Sequence, residues 1–151
     1  MAVNHIPAGY RTVTPYLTVD DASRLLEFLK KTFNAQEKEM MRRPDGKIGH
    51  AEVTIGDSVV MLSDRAGNAK PTSASLYVYV KDADATYARG LEAGGTSFAE
   101  PATQFYGDRH GAVVDPTGNL WWIATHVEDV SPEEMMRRAQ QAMKQGVAAA
   151  G

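Results

Sequence analysis

The second half of the chain repeats the first. Residues 18–22 (Thr-Val-Asp-Asp-Ala) return as residues 79–83 (Tyr-Val-Lys-Asp-Ala), and sequence typical of a helix follows each copy. Each copy then closes on a short apolar strand, with Val60-Met61 in the first matching Trp121-Trp122 in the second at the same offset. An internal repeat constrains the fold more than any local pattern does, because it predicts two structurally equivalent halves.

Each half is predicted to have the order β-α-β-β-β. Alternating apolar and polar residues predict the strands, and apolar residues at helical spacing, such as Leu25, Leu29 and Phe33, predict the helix. In the first half the strands are predicted at 12–19, 36–42, 48–55 and 58–63, with the helix at 22–33. In the second half the strands are predicted at 74–80, 96–99, 109–114 and 120–125, with the helix at 82–93.

These elements predict the α+β class and one domain over residues 1–130. Module one spans 10–64, a linker spans 65–73, and module two spans 74–130. Residues 131–151 are predicted to form a C-terminal helix and tail, because Ser131 and Pro132 are typical of a helix start. The Met-rich stripe of this helix is expected to pack on its own domain or on a second chain, and the tail after Gly146 is expected to fray.

Composition excludes several classes of function. The 151 residues carry a formal net charge of −3, which argues against a nucleic-acid surface. No apolar run is long enough to cross a membrane, and the first residues lack the apolar core of a signal peptide. Without cysteine there are no disulfides, thiolate metal sites or thiol nucleophiles. A cytoplasmic location is therefore expected, with no nucleic-acid or membrane partner.

Several phrases of the sequence resemble the vicinal oxygen chelate (VOC) superfamily, and most of all its PhnB-like, glyoxalase/bleomycin-resistance-like branch. The resemblance implies tandem βαβββ modules that form cupped mixed sheets and that often pair between chains. It therefore implies a small-molecule ligand and a homodimer. The phrases that carry it are residues 13–17, 44–52, 56–62, 106–109 and 115–119.

The resemblance also implies where a divalent metal would be held. Metal-dependent members take two ligands from each module, one early in its first strand and one in its last strand. Here those positions are Thr14, Met61, Ser75 and Trp122. Hydroxyl, thioether and indole groups are poor ligands for a divalent cation. No metal or other cofactor is therefore predicted.

The same strand faces are predicted to line a ligand cavity. Alternation places Tyr16, Tyr77 and Tyr79 on the face opposite the helices, beside the four positions above. Matching Ile55 of the first hairpin to Val114 of the second places Arg109 where module one has His50, so its guanidinium is predicted to hold an anionic or carbonyl group. Alternatively, residues 107–109 serve structure only. On this register His110 points to the opposite face, and His126 lies beyond the last strand.

His50 and Glu52 lie two apart in one strand and therefore share a face. They are the predicted catalytic candidates, with Glu52 orienting the imidazole and His50 transferring a proton. Two other interpretations stay open: an off-pattern metal site, for which a third ligand is hard to find, or a hydrogen-bonded pair that serves structure.

Together these features favour a metal-free small-molecule-binding protein with an aromatic or anionic ligand. The alternative is a lyase- or isomerase-type enzyme that uses His50 and Glu52, either without metal or with a non-standard divalent metal site. A third possibility is an interaction protein that uses the C-terminal helix. The sequence does not identify the ligand.

Overall fold

The computed structural model describes residues 2–146, and the predicted repeat is present in it. The predicted tail beyond residue 146 lies outside the described residues. Module one consists of β1 (Tyr16–Val19), α1 (Ala22–Phe33), β2 (Gln36–Arg42), β3 (Ile48–Ile55) and β4 (Ser58–Asp64). Module two consists of β5 (Ser75–Tyr79), α2 (Ala83–Glu92), β6 (Thr96–Thr103), β7 (Asp108–Val114) and β8 (Leu120–His126). Helix α3 (Pro132–Lys144) follows.

Each module folds into one four-stranded mixed sheet. The strand orders are β1-β4-β3-β2 and β5-β8-β7-β6. In both sheets the first strand pairs in parallel with the last, and the other pairs are antiparallel. The two orders are identical after renumbering, so the predicted α+β class with tandem βαβββ modules is confirmed. Two strands differ clearly in length: β1 begins at Tyr16 and not at the predicted residue 12, so Thr14 precedes it, and β6 continues to Thr103 through residues that the sequence predicted as a loop.

The helices begin and end at residues that satisfy their free backbone groups. Asp21 caps α1 and Asp82 caps α2, each with its side chain accepting from the amide three positions on. Asp64, the last residue of β4, accepts from the amides of Ala22 and Ile48 at 2.8 and 2.7 Å. This carboxylate therefore fixes the start of α1 to two strands of its own sheet.

The two modules share one hydrophobic core, which lies on the helix-bearing sides of both sheets. Helix α1 contacts α2, and the ring centroids of Phe33 on α1 and Trp121 on β8 are 5.4 Å apart. Trp121 is fully buried, which confirms that it packs between sheet and helix. Because the helix sides meet in the middle, the opposite faces of both sheets point away from the shared core.

Helix α3 forms polar contacts with module two through Arg138. Arg138 donates to the carbonyl oxygen of Phe105 at 3.1 Å and pairs with Glu128 at 2.7 Å. Of the apolar stripe, Ala142 is buried, whereas Met136 and Met143 are exposed. No helix within residues 2–146 is long and apolar enough to span a membrane.

Candidate functional site

The outward face of module one holds a cluster of hydrogen-bonded polar groups around His50. Its Nε2 lies 2.8 Å from Glu52 Oε2, and its Nδ1 lies 3.1 Å from the Tyr16 hydroxyl. The second carboxylate oxygen of Glu52 accepts from the hydroxyl of Tyr10. The structure thus brings the predicted pair together and adds Tyr10, which precedes β1. Both nitrogens of His50 have partners, so neither is free for a substrate.

Glu52 is held in its ionised form although it is buried. Burial by itself raises the pKa of this carboxyl, but hydrogen bonds from Tyr10 and His50 outweigh it and lower the pKa. The same contact raises the pKa of Tyr10 to about 12, because its proton is held by the carboxylate. Since Glu52 only accepts hydrogen bonds, His50 donates from Nε2.

A third potential metal ligand lies across the sheet from this pair. Glu39 on β2 is the register partner of Glu52 on β3. One ligand atom from each of Glu39, His50 and Glu52 lies within 4.8 Å of the other two. Sequence reasoning missed Glu39, because the pairing of β2 with β3 shifts between Glu37 and Glu39 and simple alternation fails at such a bulge.

The four positions at which the resemblance implies a divalent metal do not fit such a cation. The hydroxyl of Ser75 accepts from Trp122 Nε1 at 3.1 Å, and that of Thr14 donates to the Arg11 carbonyl at 3.3 Å. Met61 offers only a thioether, which hard and borderline cations bind poorly. The donor set therefore provides no charged or imidazole ligand.

Module two carries a second cluster, centred on Asp108. Its Oδ2 accepts from the hydroxyls of Tyr77 and Tyr79 at 2.9 and 3.0 Å, and its Oδ1 accepts from His126 Nδ1 at 2.9 Å. The Tyr77 hydroxyl also lies 2.9 Å from His110 Nδ1. Two tyrosines of this cluster were predicted from the sequence, whereas Asp108, His110 and His126 were missed.

The predicted equivalence of the two hairpins was wrong by one position. Glu52 pairs with Met61, whereas Ala112 pairs with Trp122. Since Met61 and Trp122 are equivalent, Glu52 corresponds to Ala112, and His50 corresponds to His110. Such a slip moves every side chain of a strand to the other face. The prediction that His110 faces away is therefore wrong, and a Tyr-His contact recurs in both modules.

Arg109 consequently lies on the helix side of its sheet and not with the predicted cavity residues. Its guanidinium forms a fork with Asp84 on α2, with Nε 2.9 Å from Oδ1 and Nη2 3.0 Å from Oδ2. The predicted placement of Arg109 beside the ligand is wrong, and the structural interpretation of residues 107–109 describes this contact. His126 was also misplaced, because it is the last residue of β8.

Burial and hydrogen bonding shift the pKa values of the titratable groups in the module-two cluster. Burial by itself raises the pKa of Asp108, but hydrogen bonds from His126, Tyr77 and Tyr79 outweigh it and lower the pKa. The pKa of His126 is raised by its hydrogen bonds to Asp108 and Asp129. Burial lowers the pKa of His110, so this ring is neutral at physiological pH.

Aromatic rings cover the outward face of the module-two sheet. The rings of Tyr77 and Trp122 stack at 6.5 Å with an interplanar angle of 24°. Phe98 contacts Trp122 edge-on at 5.8 Å, and Tyr79 contacts Tyr77 at 5.3 Å. Tyr77, Tyr79 and Phe98 are 40%, 62% and 60% exposed. We call this set, Tyr77, Tyr79, Phe98 and Trp122, the aromatic face.

The two clusters occupy separate surfaces of the chain. Within the described part of the chain, each hydrogen bond and ring contact of Tyr16, His50 and Glu52 stays in residues 2–64, and each such contact of Tyr77 and Trp122 stays within module two. A large cleft of about 690 Å³ lies elsewhere, beside the Asp21 end of α1. Apart from Arg109 and Thr14, the predicted ligand residues therefore lie on two open sheet faces.

The sequence matches the model of the Glyoxalase/Bleomycin resistance protein/Dioxygenase superfamily over residues 3–123. The uncharacterized protein Mb0911c of Mycobacterium bovis is 36% identical over 146 residues, which cover 89% of this chain and 93% of that protein. The uncharacterized protein Rv0887c of Mycobacterium tuberculosis is 36% identical over 146 residues, which cover 89% of this chain and 84% of that protein.

Solved structures share the fold at lower sequence identity. TioX from Micromonospora sp. ML1 has a TM-score of 0.66 at 23% identity, over 78% of this chain and 99% of TioX. A PhnB protein from Bacillus cereus has a TM-score of 0.63 at 18% identity, over 76% of this chain and 99% of that one. TnmS3 from Streptomyces sp. CB03234, described as an antibiotic binding protein, has a TM-score of 0.61 at 22% identity, over 83% of this chain and 98% of TnmS3.

Proposed function

The chain belongs to the glyoxalase/bleomycin resistance protein/dioxygenase superfamily, and on that premise we propose that it is a metal-free small-molecule-binding protein. Its ligand is a flat aromatic compound that lies on the aromatic face of module two. The family match confirms the resemblance predicted from the sequence. Family membership alone does not decide between binding and catalysis, because one fold hosts several activities.

The exposed aromatic face is the observation that carries this proposal. Proteins rarely leave a contiguous apolar patch in water unless it binds something. Trp122 and Tyr77 present stacked rings, the usual lining of a small-molecule site, and polar groups lie beside them at Asp108 and His110. An antibiotic-binding structural neighbour, TnmS3, is consistent with this use of the fold. The anionic ligand considered from the sequence loses its support, since Arg109 pairs with Asp84.

Replacing Trp122 with alanine tests the proposed site. In a thermal-shift screen of fused-ring aromatic compounds, a ligand at ~100 times its dissociation constant should stabilise the protein by about 2.7 kcal/mol. Trp122→Ala should weaken binding of such a hit at least about tenfold, because it removes the central ring of the platform. Isothermal titration calorimetry measures the affinity. Met136→Ala, an exposed change on α3, is the matched control and should leave it unchanged. Equal affinities for Trp122→Ala and the native protein would contradict the proposed site.

The open sheet faces also support a homodimer. The helix sides of both modules are already used inside the chain. Within residues 2–146 the aromatic face and the outward face around Tyr16 stay uncovered, and a second molecule can cover them. In the proposed dimer, module one of one chain faces module two of its partner and closes a hollow between them. Sedimentation at micromolar concentration should give about twice the 16.4 kDa of the chain. A single species at the monomer mass would contradict the dimer.

A second candidate function is a metal-dependent lyase or isomerase centred on His50. The observation that favours it is Glu39, which completes a set of two carboxylates and one imidazole whose ligand atoms lie within 4.8 Å of one another. Imidazole with carboxylates suits several divalent transition metals. Elemental analysis of the purified protein distinguishes the two functions. A stoichiometric divalent ion that is lost in His50→Ala would favour the enzyme, and metal-free protein would favour the binder.

A further inference from the structure

His110 is a buried histidine in which only one of the two ring nitrogens forms hydrogen bonds within the described residues. The residue is only 2% exposed, and its ring lies 4.8 Å from that of Trp122 and 5.7 Å from that of Tyr77. Its Nδ1 contacts the hydroxyls of Tyr77 at 2.9 Å and Tyr106 at 3.4 Å. Its Nε2 has no hydrogen-bond partner within residues 2–146. This nitrogen nevertheless keeps some solvent exposure, because it is not one of the fully buried unpaired polar atoms. Nε2 is therefore not completely enclosed, and the ring to which it belongs lies directly against Trp122 and Tyr77 of the aromatic face.

The hydrogen-bond directions within the cluster determine whether Nε2 of His110 is a donor or an acceptor. The ionised carboxylate of Asp108 only accepts, so Tyr77 donates its single hydroxyl proton to Asp108. The Tyr77 oxygen must then accept from His110, which places the proton of the imidazole on Nδ1. A neutral imidazole carries one N–H, so Nε2 presents a bare lone pair.

We infer that His110 Nε2 accepts a hydrogen bond from the ligand, so that the site selects flat aromatic compounds with an O–H or N–H donor at the ring edge. This inference rests on the proposed function, because it assumes a ligand stacked on Trp122. A compound that offers only an ether or carbonyl oxygen has no proton to donate, so its oxygen lone pair would face and repel the lone pair of His110 Nε2. Unsatisfied polar groups in a buried site are costly, so such a compound should bind more weakly.

A matched pair of probes tests the inference. The first is 2-naphthol, which has a hydroxyl donor, and the second is 2-methoxynaphthalene, in which a methyl group replaces that proton. The full-length protein should bind 2-naphthol about tenfold more tightly, the size expected for one hydrogen bond in a buried site. In His110→Phe, which keeps a flat ring, the ratio should fall to about one. His5→Phe, which changes an exposed histidine, is the control and should keep the native ratio. NMR titration can measure weak affinities for all these combinations.

The tautomer of His110 gives a readout that needs no ligand. Long-range ¹H–¹⁵N spectra of the native protein should show a neutral ring with the proton on Nδ1. A proton on Nε2 would overturn the inference whatever the probes do. Equal affinities of the two probes, both lost in Trp122→Ala, would overturn the inference and leave the proposed binding function standing. Binding of neither probe, or binding that Trp122→Ala does not affect, would overturn both.

Discussion

Replacing Trp121 with alanine is expected to lower the free energy of unfolding by about 3–5 kcal/mol. The indole is fully buried, packs against Phe33 of α1, and donates from Nε1 to Asp115 Oδ2 at 2.7 Å. Truncation leaves a cavity in the core that both modules share and removes a donor from a buried carboxylate. Urea denaturation followed by circular dichroism measures the loss.

Its neighbour on the same strand, Trp122, supplies the matched control. The two residues have identical chemistry, but Trp122 lies on the outward face and is only half-buried. Trp122→Ala should therefore cost roughly 1 kcal/mol of stability while it abolishes most ligand binding. Equal losses of stability in the two variants would contradict a core confined to the helix sides of the sheets.

The second large effect concerns Asp108, which is 5% exposed and accepts from three side chains. Asp108→Asn should destabilise the protein by about 3 kcal/mol at pH 5.5, because hydrogen bonds to a charged group are the strong ones. Asp129→Asn removes the other, exposed partner of His126. This control should change stability by less than about 0.5 kcal/mol.

The loss in Asp108→Asn should depend on pH in a defined way. The pKa of Asp108 is lowered in the folded state, so its contribution is present above the unfolded value of about 3.9 and is lost as pH falls through the folded pKa. The pKa of His126 is raised by Asp108 and Asp129, so its contribution is present below about 6.5 and is lost as pH rises through the folded pKa. The difference between native protein and variant should be largest between about pH 4 and 6.5. A difference independent of pH from 3 to 9 would contradict this assignment.

The repeat made most of the fold predictable from the sequence. Its two matching copies predicted both βαβββ modules, and alternation placed Leu17 and Val19 inward and Tyr16 outward as the structure has them. Strands β2 and β3 were predicted with the bounds observed. These predictions hold because burial on one face leaves a period of two in the sequence.

Half of the candidate site could not be predicted, and the reasons are physical. The second hairpin has a different turn length from the first, and this ambiguity placed Arg109 where His110 lies. The pairing of β2 with β3 shifts before Glu39, which hid that residue. Tyr10 precedes the first strand, so its contact with Glu52 depends on the path of the N-terminal segment. Such contacts follow from tertiary packing and leave no periodic signal.

Because the helix sides of both modules are joined in one core, alternate residues of a strand have different roles. Those on the helix side pack in the core, and those on the outward face form the candidate binding surface. Along β8, Trp121 and Ile123 are enclosed, whereas Trp122 is open to whatever approaches. Divergence at a half-buried outward position such as Trp122 therefore alters chemical selectivity at a smaller cost in folding energy than a change at its enclosed neighbour Trp121.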